Sequence, residues 1–296
     1  MRVVLIAVAM VLAVEVVSAM GIPNTGCSLC STLGRLAHGT EAIELIRLDT
    51  GPSYERLDPH VDYVVIFPVE PKIGPTVLEG GHNILIPRGH IVMEPGDTDL
   101  ERRAIYIKNA TGTVRIENVF IEGSDNAEFD AIAISAPEAV VELINLRVGG
   151  VRGDFLGFHG DIVQPFGGVK KLRVDGLTGR SNYQGFYLQQ TSGPIGSVSL
   201  RNVNLAYDVN PTNEVTFLLW LDGCDTYPVT LRNVYIEPRE GQLVGTHAVW
   251  PSQMEPRRCA AVQQGDEVTW PAVSEIDGMV IQGTPPTGDF VPAPDG

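Results

Sequence analysis

Basic residues are scarce in this chain: 21 Lys and Arg stand against 36 Asp and Glu, a formal net charge of -15. Nucleic-acid binding needs Lys and Arg against phosphate, so that class is excluded. Docking on anionic membranes is excluded on the same ground. Charged residues are few overall, at 19%, while hydrophobic residues reach 44%, which excludes intrinsic disorder. Cysteine is rare as well, with only Cys27, Cys30, Cys224 and Cys259. A chain of 296 residues buries enough core to stand without crosslinks or metals. No second Cys-x-x-Cys or paired His follows Cys27-x-x-Cys30. Structural disulfides are therefore expected over zinc or redox chemistry, paired Cys27–Cys30 and Cys224–Cys259 because each pair is close in sequence. Long apolar runs are missing but for Val3–Val14, which is too short to span about 30 Å of hydrocarbon and ends at Glu15. Arg2 before it and Val17-Ser18-Ala19 after it make residues 1–19 an export signal cleaved near Ala19. Secretion, extracellular or periplasmic, follows as the expected location, with an oxidising environment for the cysteines. What is abundant is Gly (32) and Pro (21), as in turn-rich all-β chains.

The chain also repeats itself. Val114–Ile121, Val141–Val148, Leu172–Leu177, Val198–Leu205 and Val229–Ile236 share the pattern apolar-x-apolar-x-Asn-apolar-x-apolar, entire or shortened. The central position falls at Asn118, Asn145, Gly176, Asn202 and Asn233, at spacings of 27, 31, 26 and 31 residues. A second β-like run precedes each one, for example Ala104–Ile107 and Phe217–Trp220. Short period-2 strands recurring at this interval indicate a solenoid. The prediction is an all-β, single-stranded, right-handed parallel β-helix of about seven coils. Residues 20–80 are expected to form an N-terminal capping segment leading into the first coil, residues 81–282 the β-helix, and residues 283–296 a Pro-rich tail, extended or disordered. Equivalent residues stack about 4.8 Å apart on neighbouring coils. The Asn column is thus expected to be a structural ladder in a turn, and Arg115, Glu142 and Arg173 a surface charge ladder.

Function on a solenoid sits on an outward stripe. Taking Ile105, Ile132, Ile162, Phe186 and Phe217 as inward aligns Arg102, Phe129, His159, Tyr183 and Glu214 in one column. Asp161 then lies beside Ala104, Ala131 and Gly185; Tyr106, Val163 and Tyr187 form a further column, and Lys108, Pro165, Gln189 and Trp220 another. His159 and Asp161 share a parity on Phe158–Gln164, as a general base and its partner would. His159, Asp161, Tyr183 and Arg102 are the catalytic candidates. Tyr106, Lys108, Gln164, Tyr187, Gln189, Glu214 and Trp220 are the substrate-binding candidates, since aromatic faces suit sugar rings and amides or carboxylates suit hydroxyls. Residues 140–180 carry six basic residues against four acidic ones, a local positive surplus in an acidic chain. Asp125, Glu128 and Asp130 could offer oxygen ligands to calcium, but match no calcium-loop motif; a solvated loop and no cofactor are expected.

The coils, His159-x-Asp161-x-x-Gln164 and Ser181-Asn-Tyr-Gln-Gly185 resemble secreted bacterial right-handed β-helix proteins of the pectate-lyase-like superfamily, over roughly residues 80–282. The resemblance implies a carbohydrate partner more firmly than any reaction. The polygalacturonase signatures Asn-Thr-Asp and Gly-His-Gly, and the Arg-x-Pro-x-x-Arg strand of pectate lyases, are absent. Asp58-Pro59-His60-Val61-Asp62 only partly matches the Asp-Pro-His-Asp of mannuronan epimerases and reads as a turn. A lyase acting on a uronate-containing polysaccharide is the leading expectation. There His159 or Tyr183 would abstract the proton alpha to the carboxyl, and Arg102, Lys108 or Arg152 would neutralise the carboxylate. The alternatives are a noncatalytic glycan-binding or cell-surface β-helix and a hydrolase or epimerase on the same scaffold, Asp161 and Glu214 being the carboxylates for hydrolysis. The oligomeric state stays open.

Overall fold

The computed structural model describes residues 43–190, 193–208, 216–224, 226–254 and 259–294. The proposed signal segment, Cys27, Cys30 and Glu214 lie outside these residues. The described chain is a parallel β-solenoid whose strands stack in three limbs per turn. One limb runs through Ile43–Arg47, Asp62–Ile66, Ile84–Ile86 and Thr113–Glu117, then through the first halves of the later repeats, all paired in parallel. After Glu117, and at the matching corner of the later coils, a residue in the left-handed conformation follows, and the chain turns into a second limb that includes Gly89–Met93 and Val119–Gly123. The third limb forms a separate ladder: Ser53–Leu57, Thr76–Gly80, Arg103–Lys108, the start of Asp130–Val151, Val163–Gln164, Phe186–Tyr187, Leu219–Trp220 and Val249–Trp250. Rungs near the C-terminal end are short, and the coil count differs slightly from the expected seven.

The Asn column explains the bend. Asn118, Asn145, Asn202 and Asn233 have φ between 51° and 55°, and Gly176 takes the same place at 80°. Among non-glycine residues Asn enters this region at low cost. The column also carries its expected hydrogen bonds: Asn145 Nδ2 donates to Asn118 Oδ1 at 2.6 Å, and Asn233 Nδ2 to Asn202 Oδ1 at 3.1 Å. Where Gly176 leaves no side chain, Asn202 Nδ2 turns to Asp175 Oδ1 at 2.8 Å. The charge ladder is present too, with Glu142 accepting from Arg115 at 3.0 Å and from Arg173 at 2.8 Å.

The lumen is filled by side chains of like position. Ile105, Ile132, Val163, Phe186, Leu219 and Val249 form one registered column, all fully buried, and join a single cluster that runs along the stack. Each buried aliphatic or aromatic side chain contributes about 1.5–3 kcal/mol.

Parallel stacking is already in place at Ile43, the first described residue, so residues 43–80 carry coils of their own within the segment expected to cap and lead into the first coil. At the other end, the hairpin Val262–Gln264/Glu267–Thr269 pairs antiparallel with Ile276–Gln282, putting an antiparallel neighbour on the last strand of the stack. The tail is docked: Val291 is buried and Asp289 is held by Arg147 and Asn204. Cys224 and Cys259 form a disulfide, with Cα atoms 5.2 Å apart.

Candidate functional site

The third limb carries most of the candidate residues, and its register decides which way they face. Ile132 pairs with Val163, not with Ile162, and Phe186 pairs with Leu219, not with Phe217. The first shift, of one residue, exchanges the two faces of the strand; the second, of two residues, keeps the facing but moves each residue to a different partner. The aligned columns therefore change. Asp161 stacks on Asp130 and Arg103, not beside Ala104 and Ala131, and Trp220 stacks on Tyr187, not beside Lys108 and Gln189.

The Asp161 column is closed to solvent. Asp130 is 1% exposed and Asp161 0%. The backbone N–H of Asp161 donates to Asp130 Oδ1 at 3.0 Å, whereas both carboxyl oxygens of Asp161 lack a hydrogen-bond partner. Arg103 Nε lies 3.5 Å from Asp130 Oδ2, and its guanidinium lies 4.8 Å from the ring centres of both Tyr106 and Phe166. Burial pushes both carboxyls above the usual range; Arg103 moderates the rise at Asp130, and the Asp130 charge adds to it at Asp161. Asp161 is thus shielded from solvent, its proton is held more tightly than on a free carboxyl, and its carboxyl is not presented to a bound polymer.

Two other candidates meet each other. The exposed ring of His159 lies 5.5 Å from that of Tyr183, which is itself 1% exposed. His159 Nε2 donates to Phe155 O at 3.1 Å. Gly160 lets this segment approach its neighbour: a Cβ there would sit 1.9 Å from Arg152 O. Arg102 lies over Phe158, donates from Nε to Gly96 O at 2.7 Å, and pairs with Glu128 at 3.3 Å. Its charge is committed within the protein. Lys108 is likewise paired with Glu79 at 3.1 Å. The possible calcium ligands do not converge: Asp125 is exposed, Glu128 binds Arg102, and Asp130 lies beside Arg103. Among the described residues no group of three or more His, Cys, Asp or Glu is placed to hold a metal. The basic surplus also disperses, since Arg147 pairs with Asp289 and Arg173 with Glu142 on the other limbs.

The outward face of the third limb is aromatic. Tyr106, Ala133, Gln164, Tyr187, Trp220 and Trp250 follow one another in register. Tyr106 packs with Val77, Ala133 and Phe166 in a cluster separate from the lumen, which places it outside the barrel of coils. Tyr187 and Trp220 have ring centres 5.2 Å apart, and Trp220 and Trp250 5.7 Å apart; all three are half-buried. Phe217 packs edge-on to Trp220 at 5.1 Å. Tyr187 donates from its hydroxyl to Gln189 Oε1 at 2.7 Å, which presents the amide beside the rings. Of the binding candidates, Tyr187, Gln189, Gln164 and Trp220 come together here; Lys108 and Tyr106 stand on earlier rungs.

Sequence reasoning missed Trp250 and Arg103, and read Asp130 only as a possible calcium ligand in a solvated loop. Trp250 lies beyond the recognised repeats, and its two-residue strand shows no alternation. Asp130 and Arg103 each stand two residues before an aligned inward Ile, where a correct register would have revealed their column. Fold and site together define a parallel β-solenoid with an outward aromatic column. No family model, curated protein or solved structure matched this chain.

Proposed function

We propose that this protein is an exported glycan-binding β-solenoid, and that Tyr187, Trp220 and Trp250 stack on the sugar rings of a polysaccharide. The aromatic column carries this reading. Tyr and Trp offer an apolar face with a polar edge, which suits a ring with an apolar face and a rim of hydroxyls. Their registered rungs repeat along the solenoid, as a polymer of like units requires. The amides of Gln164 and Gln189 add hydrogen-bonding groups near the column. Neither Lys108 nor Arg103 is a free cation on this limb, which favours an uncharged saccharide over a uronate. Binding is favoured over turnover because Asp161 is shielded and Arg102 is committed to Glu128.

The Cys224–Cys259 disulfide supports an oxidising location. Among the described residues no helix is long and apolar enough to cross a membrane.

Intrinsic tryptophan fluorescence against a panel of neutral and uronate polysaccharides tests the proposal. A neutral glycan should shift the emission, and Trp220→Ala or Trp250→Ala should weaken its binding at least about tenfold while His159→Ala leaves it unchanged. Unsaturated uronate products that disappear in His159→Ala would establish the lyase instead. Undiminished binding in both Trp variants would remove the aromatic column from the site.

A further inference from the structure

A polar pair stands beside the aromatic column on the third limb. Gln189 and Asp222 follow Tyr187 and Trp220 by two residues, and the residue between, Leu188 or Leu221, is fully buried. This alternation puts both polar side chains on the same face as the rings. Pairing extends to this point: the N–H of Leu188 donates to Trp220 O at 2.8 Å and that of Leu221 to Trp250 O at 3.0 Å. Gln189 and Asp222 thus stand on adjacent rungs, about 4.8 Å apart. Gln189 Oε1 accepts from the Tyr187 hydroxyl, which leaves the Nε2 hydrogens to donate. Asp222 is half-buried, and among the described residues its carboxylate accepts from neutral groups alone. Oδ2 takes the N–H of Gln190 at 3.2 Å and Gln190 Nε2 at 3.3 Å, and Oδ1 takes the N–H of Gly223 at 2.8 Å. These bonds fix the carboxylate and leave its charge standing. On earlier rungs, by contrast, Lys108 and Glu79 cancel each other. The charge acts on its surroundings: burial first, and the Asp222 carboxylate second, raise the pKa of the Tyr227 hydroxyl, which donates to Leu188 O.

We infer, resting on glycan binding by the aromatic column, that Asp222 is its specificity-determining residue: the carboxylate accepts from hydroxyls of the sugar stacked on Trp220 and turns away sugars that carry a carboxylate of their own. A sugar lying flat on an aromatic ring presents its hydroxyls at the rim. A side chain two residues along the strand, on the same face, meets that rim. Hydroxyl donors gain a charge-assisted bond from an ionised acceptor, roughly twice as strong as a neutral one. A uronate instead brings a like charge to a half-buried place where no cation offsets it, so the same group that attracts one class repels the other. Gln189 supplies the complementary donor one rung away. Donor and acceptor on adjacent rungs suit a polymer whose units each offer both. The selection falls on uncharged hexose polymers, and it comes from a repulsive element as well as from the lack of a free cation.

Hexasaccharides of glucose, mannose and galactose, each set against the hexamer of the corresponding uronic acid, read the selection through tryptophan fluorescence at low salt. The wild type should bind at least one neutral hexamer about tenfold or more tighter than its uronate. Asp222→Asn should weaken the neutral hexamer and strengthen the uronate, bringing the ratio to within about threefold. Added salt should lower the wild-type ratio and leave that of the variant nearly constant. A residue that only held Gln190 in place would lower both affinities together and keep the ratio. No binding of any neutral hexamer by the wild type overturns the aromatic column, and the selector with it. Neutral binding with an equal ratio in wild type and Asp222→Asn overturns Asp222 alone and leaves the aromatic column standing. Should Asp222→Asn fail to fold, Gln189→Glu gives a second reading: its carboxylate still accepts from the Tyr187 hydroxyl and should widen the ratio. An unchanged ratio in that variant overturns the polar pair as the edge that meets the sugar.

Discussion

Replacing Asp161 with Asn should raise stability at neutral and alkaline pH and leave it unchanged in acid. Asp130 and Asp161 are fully buried on adjacent coils, with one guanidinium beside the former and no hydrogen-bond partner for the carboxyl of the latter. Burial raises both pKa values, Asp130 to about 7. Each carboxyl thus holds its proton more tightly in the folded than in the unfolded chain. The resulting stabilisation is fully present below the unfolded pKa, about 4, and is lost as pH rises through the folded values. One extra bound proton gives a slope of about 1.4 kcal/mol per pH unit. Across the roughly three units at Asp130 the loss approaches about 4 kcal/mol. The introduced amide keeps the shape of the Asp161 side chain but cannot ionise. The variant should therefore gain about 2 kcal/mol at pH 8, roughly 4–8 °C in Tm for a chain of this size, and match the wild type near pH 4. Thermal melts of both proteins between these pH values give a difference curve in which the other carboxylates cancel. A variant destabilised equally at every pH, or a difference that grows toward acid, would refute the buried neutral pair.

Asn145→Ala should cost about 1–2 kcal/mol, because it loses the bond to Asn118 and holds a Cβ residue at φ 55°, whereas Asn145→Gly should recover most of the loss in denaturant melts. Cys224→Ser with Cys259→Ser opens a crosslink across 35 residues and should cost about 3–4 kcal/mol, read from the shift in urea midpoint at constant slope. Leu143→Ala, inside the lumen at 0% exposure, should cost about 2–5 kcal/mol in the same assay.

The fold was legible because its central device is a repeated residue with one conformational meaning. An Asn, or once a Gly, every 26–31 residues, flanked by alternating apolar positions, specifies a left-handed bend between two strands. The site was less legible for a reason of register. The third limb shrinks to two-residue strands at Val163–Gln164, Phe186–Tyr187 and Leu219–Trp220, too short for alternation to fix which residue faces in. Ile162 and Val163 are both apolar and both buried, so either could occupy the inward place by sequence alone. The tail was illegible on different grounds: its Pro and Gly content describes a flexible linker, while its hold on the coils depends on Arg147, Thr178 and Asn204, spread over three repeats.

That one-residue slip also separates chemistry from recognition. With Ile162 inward, Asp161 would stand beside small residues on an open face, as an accessible acid. With Val163 inward, Asp161 joins Asp130 and Arg103 in a closed column, and Gln164 moves into line with Tyr106 and Tyr187. The groups that suggest catalysis become the interior of a corner, and the groups that suggest stacking become its surface. A solenoid amplifies this choice, because each rung inherits its facing from the rung it pairs with. Trp250 is outward because Trp220 is, and Trp220 because Tyr187 is. If the column binds a polymer, shifting one rung out of register by inserting a residue before Leu219 should abolish binding while leaving Tyr187 in place, a stricter test of a continuous aromatic surface than removal of any single ring.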